Sequence, residues 1–272
     1  MQELLTSIQN PLVRQVASLK DKKGRDGTGL FMVEGIRFVE EAFEAGAEVC
    51  LIMYSPKLGE SMRGEALLEL AARRKVSLHP VSDKVLAHVA DTQTPQGIVA
   101  AVRIPQVSLA DLPTQEALIV IVDGVQDPGN LGTIVRTSLA AGASGVVTTK
   151  GTVDLFNPKT LRSTMGGVFA LPVVQGLDSQ DLLEWLEGNA IPMAVADARG
   201  EAVYYATNLL PPIALVIGNE GSGPSAELLG KADLKVSIPL AGGVESLNAA
   251  VATALLLFES CRQRAVNRAD SL

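Results

Sequence analysis

Histidine and cysteine are scarce in this chain, and each scarcity removes a class of chemistry. The two histidines, His79 and His88, both fall in the first part of the 272 residues. They lie away from the glycine-rich strand ends of the second part, so both read as structural. Two cysteines, Cys50 and Cys261, are too few for a disulfide framework or a zinc site, and a reducing cytoplasm is the simplest compartment. There is no Gly-x-x-x-x-Gly-Lys-Ser/Thr phosphate loop, no Gly-x-Gly-x-x-Gly opening a helix and no Gly-x-Ser-x-Gly nucleophile elbow. Gly218, Gly221 and Gly223 in GNEGSG have the wrong spacing for a dinucleotide fingerprint. The apolar run Ala249–Phe258 is interrupted by Thr253 and stops well short of a membrane span. MQELLTSIQNPLVRQV at the start has no signal-peptide core. Neither metal nor membrane is expected as a partner.

What is present is apolar and well mixed. Hydrophobic residues make up 47% of the chain and mean hydropathy is +0.25, which excludes disorder and favours a tightly packed α/β protein. Charge is unevenly placed: residues 1–107 hold 13 Lys/Arg against 13 Asp/Glu, whereas residues 108–272 hold 10 against 17. An acidic chain is a poor default nucleic-acid binder. Yet Arg14, Lys20, Lys22, Lys23 and Arg25 cluster near the start, as do Arg73, Arg74 and Lys75. Such clusters read equally as solvated helix faces with a mobile loop or as a phosphate-binding patch.

The first 107 residues alternate element types. LFMVE (Leu30–Glu34), EVCLIMY (Glu48–Tyr54) and GIVAAVRIP (Gly97–Pro105) read as strands. Helical spacing runs through Ile36, Val39 and Phe43 to Gly46, and again from Gly64 to Arg74. PQVSLADLPT (Pro105–Thr114), with two internal breaks and little period, reads as a linker. ALIVIVDG (Ala117–Gly124) then opens the second part as a strand buried on both faces. Helices are expected at about Leu131–Ala141, near Asn157, at Asp178–Gly188 and at about Leu247–Arg264. GVVTT, PVV, PMAVAD, ALVIG and LKVSIP are strands. Such alternation predicts a parallel sheet with helices on both faces.

Three strand-ending segments of the second part carry the chemistry: VDGVQDPGNLGTIVRT (Val122–Thr137), LVIGNEGSG (Leu215–Gly223) and SIPLAGGVESLNAAVATALLLFE (Ser237–Glu259). Ligands of open α/β sheets bind in the crevice outside the carboxyl ends of the strands. The polar residues available are Asn, Arg, Glu and Ser with glycine-rich backbone, a set suited to orientation and charge stabilisation. A cosubstrate would have to bring its own leaving group, as a sulfonium methyl donor does. Each residue also has a plain reading: Asn130 as a helix N-cap after Pro-Gly, Arg136 as a surface arginine, Glu220 as a turn residue, Ser246 and Asn248 as the start of a helix.

Taken in order, the three segments resemble the motifs of the SpoU (TrmH-like) branch of the SPOUT RNA methyltransferases. The chain is most similar to bacterial ribosomal-RNA ribose 2′-O-methyltransferases with an N-terminal ribosomal-protein-L30e-like domain, whose opening NPLVRQVASL and GLFMVEGIRFVEEA also resemble. The resemblance implies residues 1–107 as an L30e-like RNA-binding domain. Residues 108–272 become a SpoU-type α/β domain whose parallel sheet, with helices on both faces, is tied in a trefoil knot. It further implies S-adenosylmethionine as cosubstrate, structured RNA (23S ribosomal RNA above all) as substrate, and a homodimer with active sites at the subunit interface. Asn130, Arg136, Glu220, Ser246 and Asn248 match the family's catalytic-site positions. Gly218, Ile238 and Leu247 match positions whose backbone holds the cosubstrate. Glu245, where a small residue is common, and Ala249, where valine is common, are departures. Alternatives are a non-catalytic RNA-binding or assembly protein of the same fold, a tRNA 2′-O-methyltransferase, and a small-molecule nucleotide-binding enzyme.

Overall fold

The computed structural model describes residues 3–269. The chain divides into two compact units: one ends at Gln106 and takes in Phe156–Leu161, and the other holds Val107–Leu155 and the chain from Arg162 onward.

The first unit contains helices α1 (Pro11–Ser18) and α2 (Lys22–Thr28), strand β1 (Leu30–Glu34), α3 (Ile36–Glu44), β2 (Val49–Tyr54), α4 (Met62–Arg73), β3 (Ser77–Pro80), α5 (Asp83–Val89) and β4 (Ile98–Arg103). Its four strands lie in the order β1-β4-β2-β3, with β2 and β3 parallel and the other pairs antiparallel. The GRDGTG stretch (residues 24–29), expected to be mobile, is instead the body and C-cap of helix α2. A Cβ at Gly24 would lie 2.0 Å from the Ser18 carbonyl oxygen, so glycine there lets α2 pack against the end of α1. Arg25 does not belong to a phosphate-binding cluster. It is 3% exposed, and its Nη1 donates to the carbonyls of Leu19 and Lys20 at 2.8 Å each. Arg14, Lys22 and Lys23 remain exposed.

The second unit contains β5 (Leu118–Asp123), α6 (Pro128–Ala140), β6 (Gly145–Thr149), α7 (Pro158–Thr164, its first turns within Phe156–Leu161), α8 (Gly167–Ala170), β7 (Val173–Leu177), α9 (Ser179–Gly188), β8 (Met193–Ala196), β9 (Ala202–Val203), β10 (Ile213–Gly218), α10 (Ala226–Gly230), β11 (Leu234–Ser237) and α11 (Ala249–Ala269). Seven strands form a wholly parallel sheet in the order β7-β6-β5-β10-β8-β11-β9. Every residue of β5 and β10 is buried, as uninterrupted Val/Ile/Leu runs require of central parallel strands. The stretch read as a linker is no free tether, because Leu112 is buried and Val107 and Leu109 pack on the second unit's core.

This topology sets the site. β5 and β10 are neighbours with Asp123 opposite Gly218, so the two segments that follow these strands leave the sheet side by side. α11 packs against α6 and β10, which brings the third segment to the same edge. α11 starts two residues later than its apolar pattern suggests, because Asn248 ends the loop by capping: its Oδ1 accepts from the backbone N–H of Ala250 at 2.9 Å and of Val251 at 3.3 Å.

Candidate active site

Asn130 is not the N-cap of α6. Pro128 occupies the first turn and Asp127 precedes it, accepting from the Asn130 backbone N–H at 2.8 Å. With the capping done by Asp127, the Asn130 side chain is free to turn outward. Its Nδ2 donates to Glu220 Oε1 at 2.8 Å and its Oδ1 accepts from Asn248 Nδ2 at 2.8 Å. One residue from each of the three segments therefore joins a single row.

The row has one polarity. Asn248 Oδ1 is occupied by the first N–H groups of α11, so its Nδ2 points to Asn130, whose own Nδ2 points to Glu220. A carboxylate can only accept, so Glu220 is the terminus and both amide orientations follow. Glu220 also receives the backbone N–H groups of Gln126 at 3.3 Å and Asp127 at 3.4 Å. Partial burial pushes the Glu220 carboxyl up, but the bonds from Asn130 and from backbone N–H groups outweigh it and hold the group below the ordinary carboxylate range. A carboxylate held ionised in this way is a weak general base and a strong orienting anchor.

Two clefts meet at this row. One, of about 320 Å³, is lined by the backbone of Gly218, Gly221 and Gly223, by Ile238, Leu240 and Leu247, and by Asp197, Glu220, Glu245 and Ser246. Three carboxylates and no Lys or Arg line it. The other, of about 430 Å³, is lined by Asn130 and Asn248, by Thr133, Thr137 and Ser163, and by Val251 and Ala254 of α11. A wider groove of about 730 Å³ between α9 and α10 contains none of these residues.

Gly218, Ile238, Leu247 and Ser246 thus sit together on the first cleft with Glu220. Gly218 is glycine for a different reason from ligand space: a Cβ there would lie 2.1 Å from the Pro224 nitrogen and 2.3 Å from the Gly223 carbonyl carbon. The returning loop occupies that place, not a ligand. Arg136 is not brought to the row within one chain. It stands exposed on α6, lines neither cleft, and has no hydrogen-bond or ion-pair partner among the described residues. On α11, Leu256 is 1% exposed and belongs to its own chain's core, whereas Phe258 is 52% exposed.

Asn219 escaped notice in the sequence. Its Nδ2 donates to the Gly124 carbonyl at 2.8 Å, and its Oδ1 accepts from Gly221 N, Ser222 N and Ser222 Oγ at 2.9, 3.0 and 3.2 Å. The available signal was its place beside Glu220 at a strand end.

Comparison with known proteins gives the family. The profile of the SpoU rRNA Methylase family matches residues 117–258, and that of the MRM3-like substrate binding domain matches residues 10–100. The chain is 35% identical to the 23S rRNA (guanosine(2553)-2′-O)-methyltransferase RlmP of Bacillus subtilis, over 93% of this chain and 97% of that one. It is 31% identical to the 23S rRNA (uridine(2479)-2′-O)-methyltransferase of Streptomyces viridochromogenes, over 93% and 89%. Among solved structures, the SpoU methyltransferase AviRb from Streptomyces viridochromogenes in complex with AdoMet superposes with a TM-score of 0.89 at 30% identity, covering 94% of this chain and 99% of that one. The AdoMet-bound rRNA methyltransferase from Sinorhizobium meliloti gives a TM-score of 0.87 at 34% identity, covering 96% and 98%.

Proposed function

The chain belongs to the SpoU rRNA methylase family, and on that premise we propose that it is an S-adenosylmethionine-dependent ribose 2′-O-methyltransferase acting on 23S ribosomal RNA. The observation that carries this reading is the Glu220–Asn130–Asn248 row standing between two clefts.

The first cleft fits the cosubstrate. Its apolar walls and open glycine backbone suit an adenine and a bent chain, and its carboxylates match a cation. S-adenosylmethionine held there supplies a methyl group on a sulfonium, which leaves as a neutral thioether. Gly218, Ile238 and Leu247 hold it through the backbone, and Ser246 stands at the polar end. Glu220 and Asn130 fix the position of the entering 2′-hydroxyl. Arg136 stabilises the alkoxide that develops there, keeping its own proton as a guanidinium does, and the hydroxyl proton passes to solvent as the methyl–oxygen bond forms and the methyl–sulfur bond breaks.

Because Arg136 is exposed and away from the row of its own chain, the reading requires a second copy. An apolar stripe supports one. Val251, Ala254, Leu255 and Phe258 follow helical spacing on the outer side of α11, and Val251 and Phe258 are 49% and 52% exposed. The second cleft runs from Asn130 and Asn248 onto the start of this stripe at Val251 and Ala254. A homodimer closing over it would bring the partner's α6 to the rim of each site.

Residues 1–107 select the RNA, with the exposed Arg14, Lys22 and Lys23 meeting phosphates, and residues 108–272 carry the chemistry. No helix among the described residues is long and apolar enough to cross a membrane; we place the reaction in the cytoplasm, with the ribosomal RNA. The deciding experiment is methyl incorporation from labelled S-adenosylmethionine into transcribed 23S ribosomal RNA, followed by mapping of the 2′-O-methyl group. A folded protein that binds S-adenosylmethionine but methylates no RNA would instead be a binding or assembly protein of this fold.

A further inference from the structure

We propose that Asn219 is a positioning residue for methyl transfer, acting through Glu220 by clamping the β10–α10 loop to the β5–α6 loop. This rests on the reading of the row as a methyl-transfer site.

The side chain of Asn219 divides its two ends between two loops. Its Oδ1 takes three donors from its own loop, Gly221 N, Ser222 N and Ser222 Oγ, at 2.9 to 3.2 Å. Its Nδ2 reaches the carbonyl of Gly124, on the other loop, at 2.8 Å. A flipped amide would set the nitrogen against three donors and the oxygen against a carbonyl, so this orientation is the one its partners permit. The backbone closes the same turn, Asn219 and Gly223 exchanging N–H···O bonds of 3.0 Å in both directions. The loop is thereby stiffened from within and moored to its neighbour at one point.

Glu220 is the next residue, and it points across the gap that the mooring spans. Its carboxylate meets Asn130 Nδ2 at 2.8 Å, with Gln126 N and Asp127 N at 3.3 and 3.4 Å. Those two backbone contacts are long and give the carboxylate little hold of their own. The separation of Gly124 from Asn219 therefore sets how closely Glu220 approaches Asn130. A displacement of about 1 Å at a reacting centre costs on the order of 100-fold in rate, so one hydrogen bond outside the reacting atoms controls the reaction.

Two substitutions separate the two ends of the amide. Asn219→Asp keeps the acceptor for Gly221 and Ser222 and removes the donor to Gly124, so it releases the mooring while keeping the turn. Asn219→Ala removes both. Positioning is read first without RNA, from hydrogen exchange of the Asn130 side-chain amide in asparagine-labelled full-length protein. Protection in the wild type should fall in Asn219→Asp and Asn219→Ala as far as it falls in Glu220→Ala. Protection retained in Asn219→Asp overturns the proposal. This arm decides the positioning even if the wild type proves inactive, an outcome that would sink only the functional reading.

Methyl transfer to transcribed 23S ribosomal RNA is the second arm. Asn219 also lines the first cleft, so the uncharged Asn219→Ala is used here: it should lower single-turnover transfer by about 10- to 100-fold while S-adenosylmethionine affinity by calorimetry stays within about threefold. In a Glu220→Ala background the same change should cost less than about twofold, since a residue acting through another has nothing left to act on. Losses that multiply in the double variant, or a loss of transfer matched by lost cosubstrate affinity, would show that Asn219 does not work through Glu220.

Discussion

The Asn130 side-chain amide donates to the Glu220 carboxylate at 2.8 Å across 90 residues of sequence. The carboxyl sits below its ordinary range, so the stability it contributes is present above the usual carboxylate pKa and is lost as pH falls through the depressed value. Glu220 is exposed, which makes the effect small through solvent screening. Thermal midpoints at pH 7 and pH 4 should therefore fall slightly more for the wild type than for Glu220→Gln. An equal fall in both proteins would mean that the row does not hold the carboxylate.

Gly218 and Gly221 lie in one loop and should behave oppositely. A Cβ on Gly218 strikes the Pro224 and Gly223 backbone at 2.1 and 2.3 Å, while one on Gly221 meets only Asn219 Oδ1 at 3.6 Å. Overpacking against backbone costs about 1–3 kcal/mol or more. Gly218→Ala should lower the melting temperature and S-adenosylmethionine affinity together, and Gly221→Ala should leave stability nearly unchanged. A stable Gly218→Ala protein that had lost only its cosubstrate would show that the ligand, not the returning loop, needs the space.

How far this was readable in the sequence differs from element to element. β5 and β10 are legible because unbroken apolar runs leave no alternative to central parallel strands. The gathering of three segments at one edge is legible because strand ends are where such sheets bind. The row is not. Asp127, Pro128 and Asn130 all favour a helix start, and only the fixed φ of Pro128 decides that Asp127 caps and Asn130 is released. Residues 24–29 misled because three glycines normally mark a loop, and the close approach of Gly24 to Ser18 is a tertiary fact. In AAVATALLLFE every phase of the helix is apolar, so nothing local distinguishes Leu256 facing in from Phe258 facing out.

Three carboxylates and no basic residue on the first cleft give it a preference among its ligands. The sulfonium donor carries one positive charge more than the thioether product. S-adenosylmethionine should bind more tightly than S-adenosylhomocysteine by roughly threefold to tenfold at low salt, the worth of a few exposed charge contacts. The ratio should narrow as salt rises and also in Glu245→Gln. Calorimetry with both ligands at two salt concentrations measures it, and equal affinities at low salt would remove the electrostatic account.

The Arg136 side chain makes no hydrogen bond or ion pair within its chain among the described residues, so Arg136→Ala should leave the melting temperature unchanged. Turnover should fall by about 100- to 1,000-fold, as for loss of a donor to a developing oxyanion. If each site draws Arg136 from the partner, inactive Arg136→Ala and Glu220→Ala chains complement one another. A mixed dimer carries both defects in one site and none in the other, so random mixing should restore roughly a quarter of wild-type activity. No restoration on co-refolding would place Arg136 in the site of its own chain.

The outer stripe of α11 makes the assembly testable with paired substitutions on one helix. Thr253, Leu256, Leu257 and Ser260 are at most 1% exposed and face inward. Val251 and Phe258, one turn apart from Ala254 and Leu255 along the outer side, are half-exposed. A charge at Leu256 meets the chain's own core and costs several kcal/mol of folding, on the order of the large values seen for unpaired buried charge. A charge at Phe258 meets solvent in a lone chain and the partner in a dimer. Leu256→Asp should thus lose its far-ultraviolet dichroism or precipitate, whereas Phe258→Asp should stay folded and sediment as a monomer. Because Arg136 would then be missing from every site, that folded monomer should bind S-adenosylmethionine and transfer no methyl. Sedimentation of Phe258→Asp as an active dimer would move the interface elsewhere. An active wild-type monomer at micromolar concentration would remove the need for a partner altogether.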